Sequence, residues 1–188
     1  MEAQIKKIED YINHLSLKAN LSLTELIKKK KYKKKELLLN EGMICKNMIL
    51  IESGVARKYL IHNGKEITNE FFFKDDVAGA FTSCAYQLPS TEYIQAITDM
   101  KVALIDYPKF RELGLKYPEL KELDLMITEY YTAVLEDRLR QFYTLSARER
   151  YEVLLHRNPA VVLTFQLTHI ATYLGITIET LSRLRAKQ

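Results

Sequence analysis

From Glu119 to Arg157 the chain contains neither proline nor glycine, and this uninterrupted stretch limits the folds open to it. Within it Leu120, Leu123, Ile127, Tyr130 and Val134, with Leu135 beside them, recur at alternating intervals of three and four. That is the spacing of one face of an α-helix. Pro118 stands where a helix tolerates a missing N–H, at its first turn. Ser146, with Glu149 three residues on, has the form of a capping box and predicts that a new helix starts there. The first helix, of about 26 residues, would extend ~39 Å. A domain this small covers only part of such a rod. The stripe Leu120, Leu123, Ile127, Tyr130 and Val134 is therefore expected to meet a second copy of the chain, making a homodimer. Packing within one chain is the alternative.

Upstream the pattern differs. Ile5, Ile8, Ile12 and Leu15 give the first ~30 residues a helical period. From Leu37 to Asp106 the apolar runs become short and are cut by turn residues. Leu37–Leu39, Ile49–Ile51, Ala56–Ile61, Ile67–Phe73 and Val102–Ile105 read as strands, and Ala80–Tyr86 as a helical turn. Asn63-Gly64 is the strongest hairpin signal, because both residues accept positive φ. Several strands of similar spacing with no long helix between them predict an antiparallel sandwich or barrel. The fold class expected is α+β: an antiparallel, jelly-roll-like β-roll with flanking helices, then the long helix, then a helical C-terminal unit.

Lys28 to Lys35 holds seven lysines in eight residues. The run reads as a solvated surface where a helix end passes into an edge strand, since such strands often carry lysine; phosphates or acidic partners are the other reading. The formal net charge is only +4, weak support for nucleic acid by itself. No apolar run approaches the ~20 residues of a membrane span, and the charged N-terminus lacks the apolar core of a secretory signal. A cytoplasmic location is the expectation. Two cysteines, Cys45 and Cys84, are too few for a disulfide framework or an all-cysteine metal site. No phosphate loop, paired-His metal spacing or nucleophile elbow supports catalysis.

The last residues carry the most specific pattern. Leu167, Ile170 and Leu174 make one face of a short helix, Gly175 suits a left-handed helix end, and Thr177 suits the next N-cap. In the second helix Leu181 and Leu184 point inward, while Glu179 and Arg183, four apart, share the outer face with Ile178 and Ser182. Two short helices joined by a Gly-containing turn make a helix-turn-helix, whose second helix can meet base edges in a major groove. A plain helical hairpin with a Glu179–Arg183 ion pair has the same spacing.

The stretch Ser146-Ala-Arg-Glu-Arg-Tyr151, then Pro159, then Ile170-Ala-Thr-Tyr-Leu-Gly-Ile-Thr-Ile-Glu-Thr-Leu-Ser-Arg-Leu-Arg185, resembles the Crp–Fnr superfamily of bacterial regulators, with its closest likeness to the branch common in the Bacteroidetes group. The resemblance extends over essentially the whole chain. It implies a cyclic-nucleotide-binding-like sensor over 1–116, a dimerisation helix over 117–145 and a helix-turn-helix domain over 146–188, its second wing minimal or absent. Double-stranded DNA and RNA polymerase are the implied partners. Glu179 and Arg183 fall on base-reading positions and Thr180 on a phosphate-touching one. Gln166, on the first helix's N-cap, Thr168, Thr177 and Ser182 complete the DNA-contacting set. Ile178 replaces the arginine of the best-known members and offers only apolar contact, for instance to a thymine methyl.

Relatives that bind cyclic AMP place a Glu on the ribose and an Arg on the cyclic phosphate. Here Ala80, between Gly79 and Phe81, stands for the Glu, and Ser90 for the Arg; Thr91 and Tyr93 add hydroxyls nearby. No Arg or Lys lies between Asp75 and Met100, so nothing local neutralises a buried phosphate, and an unpaired buried charge costs several kcal/mol. Tight cyclic AMP binding is therefore not expected, and no cofactor is. Three readings of the pocket stay open: a less charged effector, a filled relic, or weak nucleotide binding. Iron–sulfur sensing fails on cysteine count, and His14, His62, His156 and His169 are too scattered for haem. The leading functional expectation is a dimeric, sequence-specific DNA-binding regulator. A ligand-sensing or protein-interaction module with a degenerate helix-turn-helix is the alternative.

Overall fold

The computed structural model describes residues 2–186. The elements run α1 (Glu2–Asn13), α2 (Leu17–Leu26), β1 (Ile27–Tyr32), β2 (Leu37–Leu39), β3 (Asn47–Ser53), β4 (Ala56–His62), β5 (Lys65–Phe72), β6 (Val77–Ala78), α3 (Phe81–Tyr86), β7 (Tyr93–Ala96) and β8 (Met100–Asp106). Helices follow: α4 (Tyr107–Lys116), α5 (Pro118–Thr144), α6 (Ala147–Arg157), α7 (Val161–Thr164), α8 (Leu167–Leu174) and α9 (Ile178–Arg185). The strands form two four-stranded antiparallel sheets, ordered β1-β8-β3-β6 and β2-β7-β4-β5. Ile49, Ile51 and Val102 of the first sheet share a core with Leu39, Phe72 and Ile94 of the second. This is the α+β architecture that the alternation of strand and helix periods implies.

Local chemistry sets several boundaries where expected. Asn63 and Gly64 both take positive φ, 50° and 72°, and close the β4–β5 hairpin with His62 opposite Lys65. Ser146 and Glu149 form a capping box at the start of α6. The N-terminal helical stretch, in contrast, is two helices. It breaks before Ser16, whose hydroxyl caps α2 by accepting from the Ala19 amide and whose own N–H and O–H donate to Glu119 of α5. Helix then gives way to strand at Ile27. Four of the lysines, Lys28 to Lys31, lie in β1, which pairs only with β8 and forms one edge of its sheet. Both faces of this edge are exposed at the lysines, and among the described residues only Lys29 there finds an acidic partner, Glu52.

The long helix corrects one expectation. Leu120 and Leu123 do not face a second copy: they are 0% and 3% exposed, packed in the chain's own core with Tyr107 and Phe110 of α4 and beside Ile8 and Tyr11 of α1. Ile127 leans on the same core, and Tyr130 and Val134 are half-buried. The large apolar residues of α5 that stay exposed are Leu125, Leu135, Leu139, Phe142 and Tyr143. The helix rotates its first three turns onto α1 and α4, so its free face lies elsewhere than the stripe suggests.

A second core joins the C-terminal helices. Tyr151, Leu154, Val161, Phe165, Ile170, Ala171, Leu174 and Leu181 are buried together. It extends into the sheets, because Val55, Phe71, Phe73 and Ile97 pack against it.

Candidate nucleic-acid interface and sensor cavity

α8 ends where Gly175 adopts φ 66°, and Thr177 starts α9 by accepting from the Thr180 amide at 3.2 Å. Leu181 is fully buried beneath, which fixes the rotation of α9. Ile178, Glu179, Ser182 and Arg183 are consequently exposed, with Thr177, while Thr180 is half-buried. Gln166 and Thr168 are exposed at the start of α8, where the Gln166 side chain makes no capping hydrogen bond. Among the described residues no ion pair joins Glu179 to Arg183; the guanidinium donates instead to Thr180 Oγ1 at 3.3 Å. The Glu179 carboxyl is held below its ordinary value by its own backbone N–H and by Thr177, so it presents an anionic acceptor. An exposed acceptor and an exposed fork of donors thus stand one turn apart on one helix face.

Three side chains outside the motif hold this face in place, and sequence reading missed them. Arg150 donates to the Leu174 carbonyl at 3.1 and 3.2 Å and to the Leu145 carbonyl at 2.6 Å, tying the ends of α8 and α5 together. Arg138 of α5 lies 3.9 Å over the Tyr173 ring and donates to the Tyr173 carbonyl. Phe71 of β5 contacts Phe165 and Tyr173 at ring distances of 4.1 and 4.6 Å. Beside it the Thr68 amide donates to Thr172 Oγ1 at 3.2 Å. A Ser-x-x-Glu box with an arginine one residue past its Glu marked the place of Arg150, but not the carbonyls it reaches.

Between the second sheet and α5 lies a cavity of about 400 Å³ lined by Lys58, Asn69, Glu70, Phe81, Glu92 and Tyr131 among others. Lys58 enters it from β4. Its Nζ lies 2.8 Å from Glu70, 3.9 Å from Glu92 and 3.1 Å from the Tyr131 hydroxyl, and it donates to the Gly79 carbonyl at 3.3 Å. Burial opposes the charge on Lys58, but Glu70, Tyr131 and Glu92 outweigh it and raise its pKa. A buried cation is therefore present even though none is local in sequence. It arrives from a distant strand, already matched by two carboxylates.

Of the residues expected to line a ligand pocket, Phe81 forms part of the wall, its ring 5.6 Å from that of Tyr131, and Gly79 contributes its carbonyl. Ala80 is buried. The other three do not converge on the cavity. Ser90 turns back on its own loop, accepting from the Glu92 amide and donating to the Glu92 carbonyl. Thr91 is exposed, and Tyr93 stacks on Tyr59 with ring centroids 5.0 Å apart.

The order of these parts recurs in known proteins. Residues 29–117 match the family described as cyclic nucleotide-binding domain. The chain is 30% identical over 177 residues to the fumarate and nitrate reduction regulatory protein of Vibrio cholerae, covering 86% of this chain and 69% of that one. It is 26% identical over 169 residues to the anaerobic regulatory protein of Haemophilus influenzae, covering 84% of this chain; the chain spans 65% of that relative's length. Its fold matches the structure of FixK2 from Bradyrhizobium japonicum with a TM-score of 0.74 at 21% identity, over 86% of this chain and 83% of that one. With its cyclic nucleotide-binding domain and its likeness to these regulators along most of its length, the chain belongs to the Crp–Fnr superfamily of transcription regulators.

Proposed function

We propose that this chain binds double-stranded DNA sequence-specifically as a homodimer, with residues 1–116 as sensor, 117–145 as dimerisation helix and 146–188 as reader. The observation that carries the reading is the face of α9, where Glu179 and Arg183 are exposed, unpaired with each other and backed by the buried Leu181. Arginine forks onto guanine O6 and N7, and glutamate accepts from cytosine N4. Ile178 sets the difference in half-site from arginine-bearing relatives. Thr180, Thr177, Ser182, Gln166 and Thr168 supply backbone contacts, which position the helix without reading sequence.

Dimerisation is assigned to the exposed face of α5 that borders the Lys58 cavity, where Leu135 and Leu139 follow one another at an interval of four. Ile127, Tyr130 and Val134 flank this seam. The two recognition helices then meet inverted half-sites about one helical turn, ~34 Å, apart. RNA polymerase is the partner such a regulator addresses, in the cytoplasm. The ion-paired cavity around Lys58 disfavours cyclic AMP, because a phosphate there must displace Glu70 and Glu92 from the lysine; an uncharged effector meets no such cost.

The decisive experiment is selection of bound sequences from random duplex DNA, repeated with Arg183→Ala. The expected outcome is a palindromic consensus that Arg183→Ala relaxes at one position per half-site, at a cost of about 1–3 kcal/mol, with unfolding unchanged. Selection without a consensus would assign the chain to the interaction-module class instead.

A further inference from the structure

Behind Gly79, whose carbonyl binds Lys58, lie two buried thiols in contact. Cys45, just before β3, and Cys84, within α3, are both free, and their Sγ atoms are 3.0 Å apart. Cys84 donates to Cys45 at that distance. The segments that carry them are already in register, since the Cys45 amide donates to Ser83 Oγ at 2.8 Å and Ser83 Oγ donates to the Leu88 carbonyl. Cys45 also forms part of the wall of a second cavity, about 480 Å³, with Leu39, Met43 and Asn47. That cavity shares no lining residue with the one around Lys58, and it is roomy enough to bring a small uncharged oxidant beside Cys45.

We propose that Cys45 and Cys84 are an oxidation site for hydroperoxides, closing to an intramolecular disulfide that pins α3 to the start of β3. Cys45 accepts the Cys84 S–H and borders the cavity, so it is the attacking sulfur and Cys84 the resolving one. The same hydrogen bond lowers the Cys45 thiol and raises that of Cys84. In the first step the Cys45 thiolate forms a bond to one peroxide oxygen, the O–O bond breaks, and the leaving hydroxide takes a proton to become water. In the second, Cys84 gives up its proton and attacks the Cys45 sulfenic sulfur; the S–S bond forms, the S–O bond breaks and a second water leaves. Two thiols lose two electrons to one peroxide. Because Phe81 of α3 rests against Tyr131 of α5, the bond restrains the element that joins the Lys58 cavity to the long helix.

The test treats the folded full chain with stoichiometric hydrogen peroxide and reads intact mass, free thiols and a non-reducing peptide map. The expected result is loss of both thiols and of two hydrogens, one Cys45–Cys84 crosslinked peptide pair, and full reversal by dithiothreitol. With Cys84→Ser the reaction stops at a Cys45 sulfenic acid trapped by dimedone, and with Cys45→Ser the remaining thiol survives. The wild-type map stands by itself should either variant misfold. Retention of both thiols in folded protein, under conditions that oxidise the urea-unfolded chain, overturns the proposal, as does a crosslink between chains.

Discussion

The ring of Phe142, in the last turn of α5, lies 3.0 Å from the point that a Cβ on Gly175 would occupy. The long helix therefore seats its end in the turn between α8 and α9, and a contact that leaves little room for a side chain at Gly175 helps to set the orientation of α9. Gly175 also holds φ 66°, a conformation that costs an L-residue roughly 1–2 kcal/mol. Gly175→Ala is expected to lower stability by about 2 kcal/mol in urea unfolding. Phe142→Ala in the same background should restore the part due to crowding and leave the part due to φ. Additive effects of the two changes would mean that they do not touch.

The free face of α5 makes its own prediction. Leu139 is 54% exposed in the single chain, so a charge there costs the monomer little. Leu139→Glu is expected to give a folded monomer by sedimentation, with the melting profile of its sheets preserved. A dimer that persists at micromolar concentration would place the seam on another surface.

Lys58 links two strands and α5 through one buried charge. Removing it in Lys58→Met leaves Glu70 and Glu92 facing each other, and breaking one partner of a buried pair costs about 3–5 kcal/mol. Calorimetric titration of the wild type with cyclic AMP should show no sub-micromolar binding. Tight binding would show that the carboxylates yield the lysine to a phosphate.

His169 lies on α8, which packs against β5, and burial first and then the Arg57 charge lower its pKa to about 4, against a smaller opposing pull from Glu66. The folded pKa lies below the unfolded one, so this contribution to stability is fully present above pH ~6.5 and is lost as pH falls toward 4. The expected loss is on the order of 1 kcal/mol, since the ring is only half-buried and solvent screens part of the effect. Urea unfolding at pH 7 and pH 4.5 should show it, and His169→Gln should flatten that difference.

What the chain determines by itself is whatever neighbouring residues settle among themselves. The bounds of α5 follow from Pro118 and from an unbroken helical period. The Ser146–Glu149 box, the Asn63-Gly64 hairpin and the Gly175–Thr177 turn follow from backbone preferences that those residues carry into any fold. The exposed face of α9 was legible for the same reason, since Leu181 and Leu184 define its opposite. Only the tertiary structure decides which neighbour covers a face: Leu120 and Leu123 meet α1 and α4 because those helices reach them first. It also decides which strand the lysine edge pairs with, Lys28 to Lys31 lying opposite Leu104 to Lys101 of β8. The Lys58 cavity is the sharpest case. Counted back from the hairpin turn, Lys58 falls opposite Asn69. A bulge between Lys58 and Tyr59 shifts the register by one residue and sets it opposite Glu70. A one-residue slip exchanges every partner along a strand, so the ion pair that fills the Lys58 cavity is written in the pairing of two strands and not in either alone.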